Sequence, residues 1–332
     1  MKMIGRYLTL AFLSALTAEF LLGDQWLSGG RINATTQIIE LVLYAAFYGS
    51  AAVLIRELAR RTGHGWPSIL LLALAFGLLE EGIVDESLFN PHFAGAHLLQ
   101  FGFIPALGIA GPWTIFVLSL HVIWSIGSPI AVLESLFPTP LARRAVVQPQ
   151  LQAPWLRVPA IIVASALFLF AGIAVFEASA GAHFTASPAQ LAASAVGVVA
   201  LVVVALLLPK RRPRGIRPFG PAAAIAIAVT SVYIVLDIVS ASLSPWLVVV
   251  LAVAVLALGA VLAAVLRLDV LGLAAGAILS YSWWGLSKAL PLGVAPAIEQ
   301  SVVVLVVLAA VVLAVRRRRA ANSLAAPTVA MH

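Results

Sequence analysis

The feature that most constrains this chain is repetition of one length: apolar runs of about twenty residues recur from end to end, and twenty such residues are what a helix needs to cross a bilayer. Ten can be delimited, at 7–28, 33–56, 66–88, 111–137, 155–179, 189–208, 220–243, 245–266, 270–288 and 297–315. The fourth starts after Gly111-Pro112, a favourable helix opening, and Gly, Pro or Arg clusters bound most of the others. With 62% hydrophobic and only 10% charged residues, a water-soluble globule, a disordered chain and a secreted disulfide scaffold are excluded. The expected fold is an all-α integral membrane protein with about ten transmembrane helices.

Charge sets the orientation. With the N-terminus inside, the Lys and Arg residues divide eighteen inside to two outside, the two being Arg31 and Lys288. This places both termini in the cytoplasm. The net charge of +7 does not point to nucleic acid, because the basic residues lie in short runs between apolar segments. The absence of cysteine removes disulfides, thiolate metal sites and cysteine nucleophiles. The Ala/Val/Leu/Arg-rich style suggests a bacterial cytoplasmic (inner) membrane protein. Lys2 and Arg6 ahead of an apolar run imitate a signal peptide, but the run continues past Glu19 to Leu22, as in a first anchor helix.

The organisation expected is a four-helix polar-cavity module over 1–137, a six-helix membrane module over 138–319 and a disordered tail over 320–332. Loop 89–110, uncharged after Asn90 but rich in Gly, Pro and aromatics, reads as an outer lid, with Asn90, His92 and His97 at its rim.

Ionisable residues inside membrane helices are costly and usually mark function. At 1.5 Å per residue, Glu19, Glu40, Glu80, Glu81 and His121 all fall about 10–14 Å from the outer ends of their helices. Helix 2 carries a stripe of Asn33, Gln37, Glu40, Tyr44 and Tyr48, and helix 4 one of Thr114, His121, Ser125, Ser128 and Ser135. On helix 3, Glu81 and Asp85 share a face, with Gly77 one turn away leaving room for a neighbour. Polar stripes face protein or water rather than lipid, so a polar cavity open to the outer side is expected, lined by Glu19, Glu40, Tyr44, Asp85 and Ser125. Pro129 cannot donate to the Ser125 carbonyl, so a kink is expected one turn below His121.

Glu80, Glu81, Asp85 and Glu86 lie within seven residues. Four such acids cannot all be ionised in a low-dielectric site, and a proton-sharing carboxylate pair is the expected result. Asp85 and Glu86 also suit a solvated helix end, and Glu134 suits an interfacial ion pair with Arg143 and Arg144. In the second half, Thr230, Tyr233, Asp237, Ser240 and Ser244 form a stripe, as do Ser280, Trp284 and Ser287. Asp237 either pairs with Lys288 or joins the cavity.

The segment from Leu78 to Phe89 resembles the first motif of the CAAX-protease and bacteriocin-processing (CPBP, or Abi) family, intramembrane glutamate peptidases whose motif is two glutamates, three residues, then arginine. The resemblance implies that Glu80 and Glu81 activate a water and that His121 is the histidine of the second motif. Asp85 stands at the arginine position, Val117 stands where the family has Phe, and Ser125 and Ser187 stand where an Asn would complete a third motif after His121 or His183. The stretch with Phe89-Asn90-Pro91-His92 and His121-Val122-Ile123-Trp124-Ser125 also resembles uncharacterised bacterial membrane proteins.

Two functions emerge as expectations. The first is a membrane-embedded hydrolase acting on a peptide or lipid-linked substrate, with Glu81 as base, Glu80 as its proton-sharing partner and His121 polarising the carbonyl; this ligand set also suits Zn²⁺ or another divalent ion. The alternative is a proton-coupled transporter relaying through Glu40, Glu80, Glu81, His121 and Asp237, although the inner halves of helices 1 to 3 read as nearly all apolar. A non-catalytic scaffold or sensor is the third possibility. The partners in every case are the bilayer and a substrate of small-molecule, lipid or peptide type.

Overall fold

A computed structural model describes residues 2–23, 25, 33–137, 156–180, 184–210 and 218–323. Arg31, Arg143, Arg144, His183, Arg211, Arg212, Arg214, Arg217 and the tail beyond Ser323 lie outside the described residues. Ten helical rods match the ten apolar runs. They are α1 (Lys2–Ala15, continued by Leu16–Phe20), α2 (Ala34–Arg61), α3 (Trp66–Leu79, continued by Glu80–Val84) and α4 (Gly111–Leu136). Then come α5 (Val158–Ala180), α6 (Pro188–Leu207), α7 (Phe219–Ile238), α8 (Pro245–Val265), α9 (Val270–Ala289) and α10 (Val294–Ser323). Among the described residues, all of these but α1 are single helices long and apolar enough to cross a membrane.

Local chemistry fixes the ends. Asn33 caps α2 by accepting the Thr36 N–H at 3.0 Å, Ser187 and Gln190 form a capping box on α6, and Asp269 accepts the Gly272 N–H at 2.8 Å to start α9. Proline occupies the first turn of α3, α4, α6 and α8, where its missing N–H costs nothing.

Two apolar cores share α1 and α4. One gathers α2, α3, α5 and α6 about Phe47, Ile69, Phe76 and Ile130. The other gathers α7, α8, α9 and α10 about Trp124, Tyr281, Ile278 and Val307. The centre of the molecule is therefore α4 and α9, whose spans are 67% buried, while α6 and α8 at 11% present their apolar surface to lipid. Helix α7 crosses α9 closely. A Cβ on Gly276 would lie 2.4 Å from the Ala223 carbonyl oxygen, so only glycine lets these backbones meet. The expected polar stripes of the second half face one another there, Thr230 donating to Ser280 at 2.6 Å.

Differences from the sequence expectation that bear on the site lie in the helix ends and the segment after α3. Helices α1 and α3 end early, at Phe20 and Val84 rather than near 28 and 88. Glu86 takes a left-handed backbone (φ +54°), which stops α3. Glu19, Glu80 and Glu81 thus lie in the last turns of their helices, while Tyr48 and His121 lie midway along α2 and α4. The segment after α3 forms turns and a two-stranded hairpin, β1 (Phe103–Ile104) with β2 (Ile109–Ala110), before α4 begins at Gly111.

Candidate functional site

Three helices carry a π-helical stretch: Leu16–Phe20 at the end of α1, Glu80–Val84 at the end of α3, and His121–Gly127 within α4. A π-turn widens the helix and displaces side chains from the ordinary register, and such turns are frequent at functional sites. These three contain Glu19, Glu80, Glu81, His121 and Ser125. The α4 stretch has a visible cause. Pro129 cannot donate to Ser125, and the Ser128 N–H reaches back five residues to the Ile123 carbonyl. The disturbance one turn below His121 is thus a change of helix type. The Trp124 carbonyl in this stretch lies 2.7 Å from Thr17 Oγ1 of the α1 stretch, which ties two of the irregular segments together.

The side chains meet in one series of hydrogen bonds joined by an ion-pair contact between His121 and Glu80. His121 Nε2 is 2.7 Å from Glu81 Oε1, and His121 Nδ1 is 3.2 Å from Glu80 Oε2 and 3.3 Å from Ser125 Oγ. Glu81 Oε2 accepts from the Ser87 hydroxyl, which in turn accepts from Trp113 Nε1 at 3.3 Å. On the other side, Tyr48 Oη lies 2.5 Å from Glu80 Oε1 and 2.6 Å from Glu19 Oε1. A phenol has one proton to donate. Tyr48 thus joins Glu19 of α1 to Glu80 of α3 and donates to one of the two at a time.

Glu80 and His121 are 1% exposed and Glu81 is 5% exposed. The ring of His121 stacks on Tyr48 at 6.0 Å and meets Phe76 edge-on at 5.7 Å. Gly77 has the role its position suggested: a Cβ there would come within 3.0 Å of His121 Cβ. Gly82 does the same for α6, where a Cβ would strike Ser194 Oγ at 2.6 Å. Among the described residues no Arg or Lys pairs with Glu80 or Glu81. One atom from each of Glu80, Glu81 and His121 lies within 4.8 Å of the others, which makes these three the residues able to hold a cation.

The other sequence candidates take distinct places. Tyr44 lies in the electrostatic reach of Glu19, Glu40, Asp85 and Glu80, and is the group through which half-buried Glu40 relates to the rest. Asp85, half-buried, bonds its backbone N–H to the Glu80 carbonyl at 2.7 Å. Glu86 is not solvated: it is 6% exposed and accepts the Ala186 N–H at 2.8 Å, anchoring the entrance to α6. Asn90 is buried and accepts the His92 N–H at 2.9 Å, whereas His92 and His97 are exposed and pack ring against ring at 5.3 Å. Asp237 neighbours Tyr233, whose hydroxyl lies 2.7 Å from Ser119 Oγ. Lys288 sits over the Trp284 ring at 4.5 Å.

A second buried charge cluster occupies the opposite ends of α2 and α4. Glu134 accepts from Arg60 Nε at 2.9 Å and Nη2 at 2.8 Å, and lies 3.0 Å from Arg56 Nε. Arg56 Nη1 donates to Glu57 at 2.8 Å, and Arg61 approaches the same acid at 3.4 Å. Glu134 thus pairs with Arg56 and Arg60; its expected partners Arg143 and Arg144 lie outside the described residues. Helix α2 runs on to Arg61, which draws into the bundle residues that a helix ending at 56 would leave in a loop.

Sequence reasoning missed Tyr48 as a site residue, together with Ser87, Trp113 and Thr17. Tyr48 belongs to the polar stripe of α2, and that stripe was the available signal. No curated protein and no solved structure matches the chain. A family model described as an uncharacterized membrane protein family matches residues 8–239, a stretch containing every residue of the Glu–His site. The chain therefore belongs to that uncharacterized membrane protein family.

Proposed function

We propose that this protein is a membrane-embedded hydrolase in which Glu81 acts as general base on a water. The observation that carries the reading is the His121 ring held between two buried carboxylates, 2.7 Å from Glu81 and 3.2 Å from Glu80. A base within hydrogen-bond reach of a second acid–base group, itself oriented by further contacts, is the arrangement hydrolytic chemistry uses. Glu81 takes the proton of the water. His121, whose two ring nitrogens face the two acids, polarises the carbonyl of a peptide or lipid-linked substrate. Tyr48 and Glu19 extend the path along which the abstracted proton leaves. Substrate enters where α1 and α3 stop short, beneath the segment 85–110. The resemblance of Leu78–Phe89 to intramembrane glutamate peptidases supports the same assignment of Glu80 and Glu81.

The test compares membranes from cells bearing the wild type with those bearing Glu81→Gln, by mass spectrometry of protein termini and of lipids. The reading expects at least one product found only with the wild type, its precursor accumulating in the variant. Identical profiles, with both proteins folded and equally abundant, overturn it. One observation favours a second reading, proton-coupled transport: the Arg56–Glu57–Arg60–Glu134 cluster puts charge at the far end of the same helices. Proton flux into proteoliposomes that is lost in Glu80→Gln supports transport, and its absence removes that reading.

A further inference from the structure

We propose that Glu80, Glu81 and His121 bind one divalent transition-metal ion. The two oxygens of each carboxylate are used in different ways. The outer oxygens are held by neutral donors: Tyr48 holds Glu80 Oε1 at 2.5 Å and Ser87 holds Glu81 Oε2, while Ser125 lies beside the ring, 3.3 Å from His121 Nδ1. Outer contacts of this kind fix the orientation of metal ligands and tune their basicity. The inner oxygens turn to the imidazole, Glu81 Oε1 to Nε2 and Glu80 Oε2 to Nδ1, and a ligand atom from each of the three residues lies within 4.8 Å of the others.

Two further observations point to a cation. Glu80 Oε2 is buried and accepts no hydrogen bond; it has the His121 Nδ1 contact at 3.2 Å, which lacks hydrogen-bond geometry, so its lone pairs are available to a cation. The only basic side chain at these two carboxylates, among the described residues, is His121, since Arg56 and Arg60 are already committed to Glu57 and Glu134. A dication neutralises both acids at once, where protons do so one at a time.

The donor set narrows the ion. One imidazole and two carboxylates without a thiolate suit Zn²⁺, Mn²⁺ or Fe²⁺ rather than Cu⁺ or the oxygen-seeking Ca²⁺. Three protein ligands leave a coordination position open for water, as in catalytic sites. With metal–ligand bonds of about 2.1 Å, ligand atoms sit roughly 3.3 Å apart, so the 2.7 Å contact of Glu81 with His121 needs to open by less than an ångström. The π-turns that carry both residues make such a shift easier than an ideal helix would. The inference deepens the hydrolase reading, since it rests on the same site and supplies the water's activation, but the two fail separately.

The full chain, purified in nanodiscs and stripped with chelator, is titrated with Co²⁺ and followed by the visible absorption of the bound ion and by elemental analysis. The expected result is one Co²⁺ per chain with the intense band of a four- or five-coordinate site, displaced by Zn²⁺. Tyr48→Phe and Ser125→Ala should each weaken binding about 10–100-fold, and Glu81→Gln should remove it. The exposed His92–His97 pair is the competing binder. The proposal is overturned if the wild type gives only a weak octahedral spectrum, or if binding disappears in a His92→Ala/His97→Ala double variant. Both outcomes are read without depending on whether Glu81→Gln folds. Metal bound with unchanged membrane profiles overturns the hydrolase alone, and altered profiles without metal overturn this inference alone.

Discussion

The two ends of α2 and α4 solve the same problem in opposite ways. Both bury carboxylates in the middle of an apolar bundle. At one end Glu57 and Glu134 are matched by Arg56, Arg60 and Arg61, guanidinium against carboxylate, with Arg60 gripping Glu134 by two bonds. At the other, Glu19, Glu80 and Glu81 meet a phenol, a serine and an imidazole. Guanidinium keeps its proton throughout any ordinary pH range, so the first cluster holds one charge state. Phenol, imidazole and carboxyl can each donate or accept a proton, so the second is not tied to a fixed cation. The first fastens α2 to α4, and the second has the means to change.

The comparison breaks most visibly at Glu134. Glu134→Ala leaves Arg56 and Arg60 buried without their shared acid, and loss of about 3–5 kcal/mol of stability is expected, measured by denaturant unfolding in detergent micelles. A loss below about 1 kcal/mol, the range of exposed pairs, means that the inner cluster is not a clamp. Next comes Tyr48→Phe, which removes a neutral donor and strands no cation. A cost of about 1–2 kcal/mol is expected. Its coupling to Glu19→Gln in a double-mutant cycle should be clearly non-zero, because both changes act on one shared proton. Strict additivity would show that Glu19 and Tyr48 do not share it. Smallest is the His92→Ala/His97→Ala double variant, whose two rings are exposed on the loop: its unfolding midpoint should correspond to a change within about 0.5 kcal/mol. A larger loss would assign the pair to the folded core of the segment and not to its surface.

Legibility in the sequence tracked the physics of each feature. The helices were readable because membrane thickness dictates length and composition residue by residue, and the spans of α3, α4, α6, α8 and α9 begin within one residue of the apolar runs. The meeting of Glu80, Glu81 and His121 was readable from depth and polarity alone. Side-chain phase was less so. Glu81 and Asp85 were placed on one face by 3.6-residue spacing, yet Glu81 lies in a π-turn that such spacing does not describe. Tyr48 was overlooked for a related reason: its hydroxyl matters because it bridges α1 and α3, a relation that exists only after packing. The inner cluster was hidden by a boundary. Ending α2 at 56 made Arg60 and Arg61 read as loop charges and left Glu57 unremarked, although five more helical residues carry them into the protein.

The three π-turns also bear on how such a site comes to exist. A π-turn is what results when one residue is added to an α-helix whose two ends are already fixed by packing, since the ladder absorbs the extra residue as a bulge. Each of α1, α3 and α4 has its irregular stretch at the level where the acids and the imidazole meet. Removing one residue from each stretch would restore ordinary α-helical spacing there and turn the side chains within it to new directions, leaving a bundle of much the same greasiness with its acids dispersed. Fold and chemistry in this chain are thus separable by three deletions, and the reverse step, insertion, is a route by which an inert membrane bundle gains a reactive layer.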